Sequence, residues 1–175
     1  ITKNSGFSSE FANGLADRLS AVLCLAPGCG IAKDPGTGED FVLRSGVDLG
    51  TPTTGPGLDV KVVHTGSAVV LETHSPNGAF VGGIPFLGFQ LFLTGQPPVS
   101  AIPGIQFNVF QAVLLLNNSL RTPFLQILPT GGIDFNFVVP AGLVGASILA
   151  QPVVLSAAAQ NGGYASADAH ELQIQ

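Results

Sequence analysis

Apolar positions along the chain follow two rhythms. Near the start, Phe7, Phe11, Leu15, Leu19, Val22 and Leu23 recur at three- and four-residue steps, the spacing of one helical face. Ser8 or Ser9 can cap this segment and Pro27-Gly28 stops it, so residues 1–30 predict an amphipathic helix of about four turns. Its apolar stripe has to cover something, either the open end of an adjacent domain or a neighbouring subunit. From Phe41-Val42-Leu43-Arg44 onward the rhythm shortens. Strands are predicted at Asp59 to His64, Ser67 to Thr73, Phe86 to Leu93, Ile105 to Leu116, Leu125 to Leu128, Ile133 to Val139, Ser147 to Leu155 and His170 to Gln175. Thr65-Gly66, Pro76-Asn77-Gly78, Pro103-Gly104, Asn117-Asn118, Thr130-Gly131-Gly132 and Asn161-Gly162-Gly163 supply turns between them. In the segment from Ile133 to Val139, Ile133, Phe135, Phe137 and Val139 alternate with Asp134, Asn136 and Val138, the period of a strand with one buried face. Residues 31–175 therefore predict one all-β domain, an antiparallel β-sandwich with Greek-key or jelly-roll-like connections. The Gly/Pro/Thr loop at 50–57 marks a candidate boundary within it.

Composition sharpens this reading. Of 175 residues, 46% are hydrophobic and 36 are Gly or Pro, which excludes disorder and fits many short strands. Twelve Phe, one Tyr and no Trp fill the core with rings that need no polar partner. Charged residues make up only 10%, against roughly 25% in a soluble domain. Residues 73–175 hold just Arg121, Asp134, Asp168 and Glu171. A solitary domain keeps apart from its copies by surface charge, and this region has little. The net charge of −5, with isolated basic residues, excludes a nucleic-acid partner, which would need a positive stripe.

No methionine occurs in the chain, which predicts a processed terminus at Ile1 behind a removed signal sequence, with a truncated chain as the alternative. An extracellular or cell-surface location follows. Cys24 and Cys29, five positions apart across a Pro-Gly turn, can reach bridging distance and are read as a disulfide, with two buried thiols as the alternative. Phe135 to Ala159 carries no charge, yet Asn136, Pro140, Gln151 and Pro152 suit two strands and a turn, so no membrane span is expected.

The C-terminal third resembles a module that closes many large secreted proteins of planctomycete-type bacteria. The resemblance is carried by Gly132-Ile133-Asp134-Phe135-Asn136-Phe137-Val138-Val139-Pro140, Leu143-Val144-Gly145, Gln151 and Ala167-Asp168-Ala169-His170-Glu171-Leu172-Gln173-Ile174. The run from Cys29 through Gly38 to the strand Phe41 to Leu43 is similar to the start of such modules. Ala167-Asp168 stands where the family has Ser-Asn. The resemblance implies an extracellular β-sandwich used for attachment or architecture, and no catalytic residue comes with it.

Candidate chemistry is sparse. His64, His74 and His170 lie in no ligand-spaced motif. His170-Glu171 opens like a zincin signature, but Ile174 occupies the second histidine position. His74 could meet Glu72, Asp168 or His170 only in space. Gly36-Thr37-Gly38 precedes two carboxylates that would repel phosphate. Asp34, Glu39, Asp40 and Asp48 are calcium-type oxygen ligands, read more simply as solvated loop acids. No Gly-x-Ser-x-Gly elbow occurs, and a Ser-His-Asp triad would have to be assembled in space. The expectation is a non-enzyme without cofactor or metal.

Three functions follow, in order. The first is a structural subunit of an extracellular filament, sheath or surface layer, joining copies of itself through charge-poor surfaces and the arm bearing Phe7, Phe11, Leu15 and Leu19. The second is a carbohydrate-binding or adhesion module, for which Tyr164 is the available stacking ring. The third is a β-sandwich hydrolase.

Overall fold

A computed structural model describes residues 36–54, 59–111, 113–117 and 126–175. The amphipathic segment with Phe7, Phe11, Leu15 and Leu19, and the pair Cys24 and Cys29, lie outside these residues. The described residues are all-β, in strands β1 (Val42–Val47), β2 (Val60–Val63), β3 (Ala68–His74), β4 (Ile84–Leu93), β5 (Leu114–Leu116), β6 (Ile133–Val138), β7 (Ala146–Leu155), β8 (Tyr164–Ser166) and β9 (His170–Ile174). One sheet has the order β1-β3-β6; the other runs β2-β9-β7-β4-β5, with β8 also pairing β7.

The three-stranded sheet alternates in the way its sequence predicts. Leu43, Val69, Leu71, Ile133 and Phe135 are buried, and Arg44, Glu72 and Asp134 fall in one row across the opposite face. The buried side chains meet Val63, Leu87, Ile148, Val154, Leu172 and Ile174 of the larger sheet in one apolar cluster. Phe89 and Phe137 touch edge to face across it, with centroids 5.7 Å apart.

Strand β7 does not alternate, because both its faces are covered. Ile148, Ala150 and Val154 join the main core, whereas Leu149 and Val153 pack beneath Ile105, Phe107 and Ala169 in a second cluster. The expected strand from Ile105 to Leu116 is therefore corrected. Only Leu114–Leu116 pairs as strand, and Ile105 and Phe107 before it lie over the larger sheet. Their hydrophobicity reflects burial from one side by a sheet, not membership in it. Gly88 makes this possible: a Cβ there would stand 2.6 Å from the Phe107 ring.

Three further expectations change. Leu128 exchanges backbone hydrogen bonds with Gly82 and Gly83 without forming a strand. Strand β8 was not expected, since Ala165 and Ser166 carry weak strand signals. The β2–β9 pairing is parallel, whereas the other ladders are antiparallel. Over a hundred residues separate these two strands, so no short connection forces the antiparallel sense. Pro152 is accommodated in β7 because it falls in the gap between the stretch paired to β9 and the stretch paired to β8.

Candidate functional site

Among the described residues, Ser45 and His170 form an arrangement with a catalytic look. The serine comes from β1 and the histidine from β9, so each sheet supplies one partner. The Ser45 hydroxyl lies 2.7 Å from His170 Nδ1, the spacing of a nucleophile and its base. Asp59 sits beside His170 when the parallel register is continued by one residue, and its carbonyl accepts the Glu171 N–H at 2.7 Å. All three residue types of a hydrolase triad are thus neighbours. Ser45 and His170 are each 0% exposed and Asp59 is buried, so the pair is sealed between the sheets, where it satisfies two polar groups inside an apolar core.

The other histidines stand apart from it. His74 lies on β3, among Arg44, Glu72 and Asp40. Burial, and then Arg44, hold its imidazole below the ordinary value, with Glu72 and Asp40 pulling the other way. His64 is exposed, with Nδ1 3.2 Å from the Gln175 carbonyl. His170 and Glu171 face opposite sides of β9: the histidine turns to Ser45 and Glu171 to the other face, where its carboxylate accepts from Ser147 at 2.8 Å and Gln173 at 3.1 Å.

The loop acids act separately. Asp40 accepts hydrogen bonds from Ser75 Oγ (2.6 Å), the backbone N–H of Asn77 and Ala79, and Asn77 Nδ2 (2.8 Å). Glu39 accepts the Gln160 N–H, and Asp48, at the other end of β1, accepts Ser67 Oγ and the Ala68 N–H. Among the described residues, no three His, Cys, Asp or Glu side chains gather as metal ligands.

Beneath the 94–113 segment lies a polar fastening the sequence did not announce. Gln151 is completely buried; its carbonyl accepts the Gln106 N–H at 2.7 Å and its amide donates to Gly104 O at 2.9 Å and Ala167 O at 3.0 Å. Gln90 accepts the Asn108 N–H and donates to Gln111. Tyr164 belongs to the same layer. Its half-buried ring packs against the second apolar cluster, and its hydroxyl donates to Pro103 O at 2.7 Å, so much of its surface is already engaged.

No protein-family model matches the chain, and no curated protein is similar to it. Its own surface therefore carries the functional reading. No helix among the described residues is long and apolar enough to cross a membrane. Two turn tips present large apolar side chains that sequence reasoning passed over: Leu49 and Phe110 are almost wholly exposed. Asp48 (φ 48°) and Leu49 (φ 66°) are both left-handed, and Gly50 N–H closes the turn onto Val47 O at 2.9 Å. Two such residues define a type I′ turn, which favours Asn-Gly. A leucine in that region costs roughly 1–2 kcal/mol, and an exposed side chain returns nothing to the fold. The signal lay in Val47-Asp48-Leu49-Gly50, a turn sequence with leucine where glycine is easiest.

Proposed function

We propose that the chain is a structural subunit of an extracellular self-assembling filament, sheath or surface layer, its two sheets forming a Greek-key or jelly-roll-like β-sandwich. One observation carries the reading. Leu49, Leu93, Phe110, Ile127, Val138 and Val144 are exposed in a chain with four charged residues after position 72. Such a surface lacks the repulsion that keeps monomers apart, and its apolar patches lose less by touching a copy than by staying wet. The N-terminal arm, the Cys24–Cys29 disulfide and the resemblance to a planctomycete-type closing module belong to the same proposal, and each fits secretion. In this role the chain needs no cofactor and performs no catalysis. Light scattering and electron microscopy of the full chain should show mass rising with concentration and discrete assemblies. A monomer at every concentration would refute the proposal.

A hydrolase is the second reading, favoured by the Ser45–His170 contact alone. Burial of both groups argues against access by substrate. A fluorophosphonate probe is expected to leave the folded chain unlabelled; labelling at Ser45 would reverse the order of the two readings.

A further inference from the structure

Two asparagine-glycine pairs sit at exposed turn tips among the described residues: Asn77-Gly78 between β3 and β4, and Asn161-Gly162 between β7 and β8. In such a pair the glycine nitrogen can attack the carbonyl carbon of the asparagine side chain, because no Cβ shields it. In both turns that nitrogen carries one backbone bond, from Gly78 to Ser75 O at 3.0 Å and from Gly162 to Ala159 O at 2.7 Å, so opening of this bond precedes attack in either. The two side-chain amides are held in opposite senses. Asn77 donates from Nδ2 to Asp40 Oδ1 at 2.8 Å, and its backbone N–H donates to the same carboxylate. A negative charge there opposes build-up of negative charge on the amide. Asn161 is held by its oxygen: Oδ1 accepts the N–H of Gly163 at 2.8 Å and that of Tyr164 at 2.9 Å. Backbone N–H groups only donate, so they fix which amide atom is the oxygen.

We propose that Asn161 is a self-modifying residue whose turn supplies its own oxyanion donors. The Gly162 nitrogen, giving its proton to hydroxide, bonds to Asn161 Cγ. Oδ1 then carries the negative charge of the tetrahedral intermediate, and the Gly163 and Tyr164 N–H groups already point at it. Collapse breaks the Cγ–Nδ2 bond. Nδ2 takes a proton from water and leaves as ammonia, and a five-membered succinimide ring remains. One water opens that ring at either carbonyl, giving an aspartyl or an isoaspartyl residue at 161. One water enters and one ammonia leaves, with no change of oxidation state. Either product adds a carboxylate close to Glu39, whose Oε2 accepts the Gln160 N–H, and makes the formal net charge of −5 one unit more negative. The aspartyl product keeps both donors, now on a charged acceptor. The isoaspartyl product lengthens the backbone by one methylene inside a turn closed by the Ser156 N–H on Gly163 O. That change pulls on Tyr164, whose hydroxyl donates to Pro103 O.

Peptide mapping with isoaspartate detection tests this on the full chain, kept folded in warm, mildly alkaline buffer. Asn161 should convert about tenfold faster than Asn77, the effect expected of two well-placed donors in a wet turn. In concentrated urea, where neither turn persists, the two rates should come together. Asp40→Ala should speed conversion of Asn77 and leave that of Asn161 unchanged. Equal or faster conversion of Asn77 in the folded wild type would overturn the proposal. So would an Asn161 preference that survives in urea, which would belong to the local sequence and not to the turn. A folded chain in which Asn161 is stable, while the unfolded chain converts there, would also overturn it, because the two bonds would then lock the amide instead of activating it.

Discussion

Replacing Gln151 with leucine is expected to destabilise the domain by about 3–5 kcal/mol, although the side chains are similar in size. The glutamine satisfies three backbone groups at once, the Gln106 N–H and the carbonyls of Gly104 and Ala167. Leucine would leave all of them without that partner in a buried layer, and each such group costs roughly 1–3 kcal/mol. The added apolar burial recovers only part of this. Urea unfolding should show the loss as a lower midpoint, and hydrogen exchange should place it, with the Gln106 amide losing protection before amides of β3. An unchanged midpoint would mean that the apolar contacts of Ile105 and Phe107, with the Gln90 and Tyr164 hydrogen bonds, hold the segment without Gln151.

Asp40→Ala should cost about 1–2 kcal/mol, since charged acceptors hold their donors more strongly than neutral ones while the open, watery setting of this carboxylate screens part of that gain. The carboxylate organises residues 75–80, and Ser75 Oγ in turn accepts the Phe80 N–H at 3.1 Å. Phe80 is thereby set edge to face on Phe41, with centroids 6.3 Å apart. The effect has a pH signature. Desolvation pushes the Asp40 carboxyl up, but the hydrogen bonds from Ser75, Asn77 and Ala79 together outweigh it and hold the group below its ordinary value. A depressed carboxyl stabilises the fold above the unfolded value, about 4, and that contribution disappears as pH falls through the lower folded value. Melting curves of the wild type and Asp40→Ala should therefore run apart at pH 6 and converge in acid. A constant gap across that range would assign the loss to packing.

Local pattern was enough for much of the architecture. Alternation in Ile133-Asp134-Phe135-Asn136-Phe137 announced a strand with one buried face because the three-stranded sheet is covered on one side only. The segment 105–113 misled for the complementary reason. Hydrophobicity records that a residue is buried and not what buries it, so Ile105 and Phe107, lying across a sheet, look like residues lying within one. The candidate sites were less legible. Ser45 and His170 are 125 positions apart, and a hydroxyl–imidazole contact across two sheets leaves no mark on the local spacing of either residue.

Taken alone, the amino-acid order determined the all-β character of the described residues, most of their strand positions and the scarcity of charge, because each depends on the periodicity or composition of a stretch read by itself. Tertiary structure alone decided the parallel closure of β2 on β9, the clasp of Gln151 and the sealing of Ser45 against His170. These depend on which distant segments become neighbours, and that is set by the pairing of whole strands and the covering of their faces.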